Sequence, residues 1–139
     1  MIPKVYVASK VWHADKHKLA REMGYNIISR WVDLDNDHPI VFHDKKRLWE
    51  ICDQDVHACD YVLMYCEEQT EEHRGALIEI GTAYGLGKPV YCVNKSKSLR
   101  GCETSDVAFT YHRLWNWLES TTLTQGIEEA NKLFKKQGY

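Results

Sequence analysis

The stretch "ACDYVLMYCEEQTEEHRGALIEIGTAYGLGKPVYCV", residues 58–93, reads as strand, helix, strand. "YVLMYC" (61–66) is an unbroken apolar run, the pattern of a central parallel strand covered on both faces. A polar loop, "EEQTEEH" (67–73), leads into a helix that is apolar on nearly every side and stops at Gly85 and Gly87. "KPVYCV" (88–93) then reads as the next strand.

The same alternation extends outward in both directions. "KVYVAS" (4–9) predicts a first strand, and "HADKHKLAREM" (13–23) a polar-faced helix stopped by Gly24. "YNIISRWV" (25–32) predicts a second strand and "DLDNDHP" (33–39) a loop. Asp44 can cap a helix to about Cys59, with Leu48, Ile51, Cys52, Val56 and Cys59 near helical spacing. "VAFTYH" (107–112) predicts a fifth strand, and 124–137 a closing helix. Strands alternating with helices imply an α/β protein with a parallel sheet covered by helices on both faces. The expectation is a single Rossmann-like (flavodoxin-like) domain over residues 1–139, with five parallel strands. Such sheets bind ligands beyond the carboxyl ends of their strands. That rim should hold Ser9 to His13, Arg30 to Asp33, Cys66 to Arg74 and the loop from Asn94. Neither G-x-G-x-x-G after the first strand nor G-x-x-x-x-G-K-[ST] occurs, so a nucleotide would be held without either motif.

The totals narrow the function. The 139 residues are 44% hydrophobic and 27% charged with a net charge of −2, which argues against a general nucleic-acid or anionic-membrane binder. No apolar run approaches the roughly 18 residues of a membrane span. The start "MIPKVYVASK" enters a strand at once, so no signal peptide and a cytoplasmic location are expected. Cys52, Cys59, Cys66, Cys92 and Cys102 form no C-x-x-C pair and lack zinc-type spacing, so reduced thiols and no metal are expected. No cofactor is expected either.

Glu79 is the anomaly. It follows Ala76, Leu77 and Ile78 and precedes Ile80, Gly81 and Thr82. Burying a carboxylate there is costly unless it is paired or neutralised. In a partly dry cleft it can serve as nucleophile, general acid or general base, with Gly75 one turn earlier leaving room for a ligand. The alternative is a Glu on a thin solvent stripe, or one paired with an Arg of a neighbouring subunit.

"RGALIEIGTAYGLGKPV" (74–90), following "ACDYVLMY" (58–65), resembles the nucleoside 2-deoxyribosyltransferase superfamily, which includes the 2′-deoxynucleoside 5′-phosphate N-hydrolases and related CMP N-glycosidases. The likeness runs in order over about residues 3 to 115 and is close over 55 to 93. It implies an enzyme acting on a nucleoside or nucleotide, with Glu79 as the nucleophile that forms a glycosyl ester. Water or a second base resolves the ester with retention. It also implies an acid on the helix before the third strand, where Asp53 and Asp55 are both candidates, and a site completed in a homodimer or larger assembly. Where relatives commonly carry Asp or Ser, six residues before the nucleophile, this chain has His73 followed by Arg74. That pair at a helix amino end suits a phosphate; an ordinary charged loop is the alternative.

Other rim residues fit a nucleoside. Trp31 could stack on a base and Asp33 could accept hydrogen bonds from an exocyclic amine, although a core Trp beside a turn Asp reads equally well. Ser9 and Lys10 could meet a sugar or phosphate, or Ser9 could cap a helix. Trp12, Trp31 and Trp115 could close over the base, but the polar rim "CEEQTEEHR" (66–74) leans towards hydrolysis rather than base exchange. A binding module for a nucleotide-derived ligand, without turnover, is the competing expectation.

Overall fold

A computed structural model describes residues 2–67, 74–94 and 108–139 of the chain. Four parallel strands form one sheet in the order β1 (Val5–Ala8), β2 (Tyr61–Cys66), β3 (Val90–Asn94) and β4 (Trp115–Trp117). Among the described residues the helices are α1 (Ala14–Glu22), α2 (Pro39–His43), α3 (Lys45–Ala58), α4 (Arg74–Gly85) and α5 (Leu123–Lys136), with short 3-10 turns at Val11–His13, Arg30–Asp33 and Ala108–Tyr111. All six residues of β2 are buried, as its unbroken apolar run requires. Val5 pairs with Tyr61, so alternation sends Tyr6 to one face of the sheet and Tyr61 to the other. Tyr6 lies against Glu79 of α4, whereas the Tyr61 hydroxyl donates to Asn131 of α5 at 2.8 Å. Helices therefore cover both faces, with α3 packed on α4 and α1 on α5. Gly126 brings α5 close to the sheet, because a Cβ there would overlap the Val93 side chain.

The α/β class holds, but among the described residues the sheet has four strands rather than five. Residues 25–32 do not form a strand. They make a single parallel bridge, Val5 with Ile27, before the chain turns into the 3-10 segment Arg30–Asp33. Side chains replace the missing ladder: Val7 N–H donates to Ser29 Oγ at 2.8 Å, and Trp31 Nε1 donates to the Val7 carbonyl at 2.9 Å. The open edge of β1 is thus satisfied locally, and the backbone is free to turn towards α3.

The expected strand at 107–112 is also displaced. Residue 107 lies outside the described residues, and Ala108–Tyr111 is a 3-10 turn. Tyr84 holds that turn, stacking on His112 and donating to the Phe109 carbonyl at 2.7 Å. The pairing with β3 falls later, with Val90 opposite Trp115.

Local signals fare better. Asp44 Oδ1 accepts from Arg47 N–H at 2.9 Å and caps α3. Asp60 accepts from Lys4 N–H at 2.7 Å, tying the start of β2 to the start of β1. Gly87, at φ 70°, ends the turn after α4 in the left-handed region. Helix α2 was not expected; Pro39 opens it while His38 Nδ1 accepts from Ile40 N–H at 3.1 Å. Cys52, Cys59, Cys66 and Cys92 are thiols rather than disulfide partners, and Cys102 lies outside the described residues. Among the described residues no helix is long and apolar enough to cross a membrane.

Candidate active site

Beyond the carboxyl end of β1 the chain encloses a cavity of about 320 Å³. One wall comes from Ser9 and Lys10, immediately after the strand, and another from Trp31. Helix α3 contributes the face Lys45, Leu48, Trp49 and Cys52, spaced i, i+3, i+4 and i+7 as one side of a helix must be. Gly75 and Ala76 of α4 border it, and Glu79, one turn on, closes the inner end. Among the described residues nothing lies within 4 Å of where a Gly75 Cβ would stand, so its missing side chain leaves space at the cavity edge.

Burial raises the Glu79 carboxyl to a pKa of about 7, partly offset by the Tyr6 hydroxyl beside it. The Tyr6 hydroxyl is itself buried and makes no hydrogen bond of standard geometry, although it lies against both Glu79 and Cys52. Burial, and then the charge of Glu79, push the Cys52 thiol up to about 11. That thiol stays neutral near pH 7 and is a weak nucleophile. Among the described lining residues, Glu79 is therefore the group that can change charge near neutrality. It can attack as a carboxylate or donate as an acid.

The remaining lining groups suit a partly polar ring system. Ser9 Oγ is buried in the wall without a hydrogen-bond partner, an arrangement that favours a ligand hydroxyl alongside it. Trp31 is only 7% exposed, and its indole N–H is already bonded to Val7, so it offers the cavity an apolar ring rather than a donor.

Several expected site residues lie elsewhere. Asp55 is buried behind the wall, where it accepts from Arg30 N–H at 2.9 Å and from Arg30 Nε at 3.0 Å. Asp53 faces His57 at 3.7 Å on the outer side of α3. Asp33 takes both guanidinium nitrogens of Arg21, at 2.9 and 2.6 Å, which holds its carboxyl below the usual range. None of the three aspartates lines the cavity. Trp12 is 63% exposed and lies beside Lys10, while Trp115 is buried in β4 against Phe109. Glu67, the described acid of the polar rim, pairs with Lys16 rather than lining the cavity. His73 lies outside the described residues, and Arg74 is the first residue of α4.

The structure therefore brings Ser9, Trp31, Gly75 and Glu79 together and leaves the expected aspartates out. Tyr6, Lys45, Leu48, Trp49 and Cys52 were not anticipated. The i, i+3, i+4, i+7 spacing from Lys45 was readable, but nothing in it says which side of α3 meets a cavity.

A pocket at the carboxyl edge of a parallel sheet lies where open α/β sheets bind ligands, and among the described residues Glu79 is its one carboxyl. No protein-family model and no curated protein sequence matches the chain.

Proposed function

We propose that the chain cleaves the N-glycosidic bond of a nucleotide or nucleoside through a glycosyl ester on Glu79. The observation that carries this reading is the Glu79 carboxyl, largely buried at the end of a cavity walled by Trp31, Leu48 and Trp49. The resemblance of residues 55–93 to the nucleoside 2-deoxyribosyltransferase superfamily supports it. In the first step a Glu79 oxygen bonds to the anomeric carbon as the carbon–nitrogen bond breaks, and the electron pair leaves with the base. Asp55 is engaged with Arg30 and Asp53 faces His57, so in this arrangement water supplies the proton to the base. In the second step water adds to the anomeric carbon, its excess proton passes to solvent, and Glu79 is released. Two inversions give retention. Transfer to a second base is the less favoured outcome, since the cavity is open to water.

The same aspartates favour a second reading. With Glu79 the one described carboxylate in the cavity, the chain could instead bind a nucleotide-derived ligand without turnover. Incubation with a panel of nucleosides and 5′-nucleotides separates the two. Release of free base by the native chain and not by Glu79→Gln is the result expected of the enzyme. Saturable binding with no base released would reject it for the binding module.

A further inference from the structure

Helix α1 backs the Trp31 wall of the cavity without lining the cavity itself. Its residues His17 and Arg21, one turn apart on the same face, meet Trp31 and Asp33 of the 3-10 turn. The outer contact is an ion pair in which Arg21 donates to both Asp33 oxygens. The inner one is an edge contact, with the His17 and Trp31 ring centroids 5.6 Å apart at 75°. From the other side α3 holds the same turn through Asp55 and Arg30. Trp31 thus stands between two clamps. We propose that His17 is a positioning residue for the cavity: while neutral it holds the Trp31 wall in place, and on taking a proton it releases that wall, so the cavity loosens in acid.

Packing alone does not account for a histidine at the inner clamp. His17 is fully buried, and neither ring nitrogen has a hydrogen-bond partner. A neutral imidazole carries one donor and one acceptor, both costly to bury bare, whereas a phenyl ring of similar shape buries no polar atom. Local rules broken without local compensation concentrate at functional positions. What imidazole adds over phenyl is a proton site.

The groups around His17 all disfavour its cation or are engaged elsewhere. On α1 itself, His13 and Lys16 repel a further positive charge. Tyr65 of β2, whose ring lies 5.9 Å from that of His17, donates to Glu67, and Glu67 also pairs with Lys16. Asp33 is held by Arg21. On α5, Glu128 accepts from Tyr25 and Glu129 from Ser120. Burial, and then the charges of His13 and Lys16, lower the pKa of His17 to about 3. Once the ring reaches water, that value returns towards 6.5. Each pH unit below 6.5 therefore favours the opened arrangement up to about tenfold. The opening contact is the one that seats Trp31, so the proton acts on the cavity and not on α1 alone.

Fluorine NMR of the chain carrying 5-fluorotryptophan, followed from pH 7 to pH 4.5, tests this without any ligand. Trp31→Phe assigns the Trp31 signal. Trp115 and Trp117, in the strand at the far edge of the sheet from β1, report whether the fold holds. A second state of Trp31, seen as a separate signal or as exchange broadening, should rise in population on the order of a hundredfold across this range. His17→Phe should abolish the rise, and Arg21→Gln, which removes the outer clamp, should move it to higher pH. Labelling the histidines with nitrogen-15 follows the His17 proton directly in the native chain, even if a variant does not fold. Protonation of His17 should accompany the second Trp31 state. A Trp31 signal unchanged to pH 4.5 in both the native chain and Arg21→Gln overturns the assignment. So does a second state that appears with His17 still neutral, one that persists in His17→Phe, or one that appears only as Trp115 and Trp117 change with it.

Discussion

Asp55 of α3 grips Arg30 twice, through its backbone N–H at 2.9 Å and through its guanidinium, again at 2.9 Å from Nη2. The grip fastens the 3-10 turn Arg30–Asp33 to α3, and the residue after Arg30 is Trp31, a wall of the cavity. Asp55 thus acts on the site through Trp31. Asp55→Ala should destabilise the fold by about 2 kcal/mol, the scale for losing buried charge-assisted hydrogen bonds. It should also loosen Trp31, seen as a red shift in tryptophan emission, and raise KM more than it lowers kcat. A loss confined to kcat, with emission unchanged, would assign Asp55 to the chemistry.

Glu79→Gln should lower turnover by several orders of magnitude, because an amide cannot form the ester. Its effect on stability depends on pH. The folded carboxyl titrates at about 7, above its ordinary value of 4.5, so the folded state holds a proton that the unfolded state releases between those values. The stabilising contribution is complete below 4.5 and is lost as pH rises through 7. The variant should therefore gain up to about 3 kcal/mol over the native chain by pH 8, and little at pH 4.5. Thermal denaturation at both values checks this; an equal gain at each would mean that Glu79 is not carrying a burial cost. For the same reason the native rate should rise with pH through about 7, as the carboxylate form accumulates.

His17 produces the opposite slope. It is fully buried between Trp31 and Tyr65, neither ring nitrogen has a hydrogen-bond partner, and burial lowers its pKa to about 3. The unfolded chain binds the proton first as pH falls below 6.5. Stability should then decline by up to roughly 1.4 kcal/mol per pH unit towards 3. His17→Phe fills a similar space and removes the titration, so its acid limb should be flatter than that of the native chain. Identical limbs from pH 6.5 to 4 would place the acid sensitivity elsewhere.

Helix α4 should form part of a subunit interface. Its buried side is Ala76, Ile80 and Ala83, yet Leu77 and Ile78 face outwards at 39% and 52% exposure. Tyr111 and Trp117 are exposed as well. Adjacent outward aliphatic residues beside a ligand cavity suit a second copy of the chain. Light scattering should find a dimer or larger assembly, and Ile78→Lys should shift it towards monomer. A native monomer at working concentrations would refute the expectation.

Much of this protein follows from short-range rules. The apolar run 61–66, the Asp44 cap, the glycine stop after α4 and the odd acid at position 79 depend on neighbours within a few residues. Each is visible in the sequence. The edges of the sheet were not. "YNIISRWV" has the composition of a strand, but Ser29 and Trp31 satisfy Val7 with side chains and Asp55 draws Arg30 away, contacts spanning 22 to 25 residues. The identity of the cavity lining was likewise a tertiary matter. Asp53, Asp55 and Cys52 lie within one turn of α3, and only the packing of α3 against α4 decides which of them meets Glu79. It chose the cysteine, because Arg30 and His57 engage the two carboxylates on the other sides of the helix.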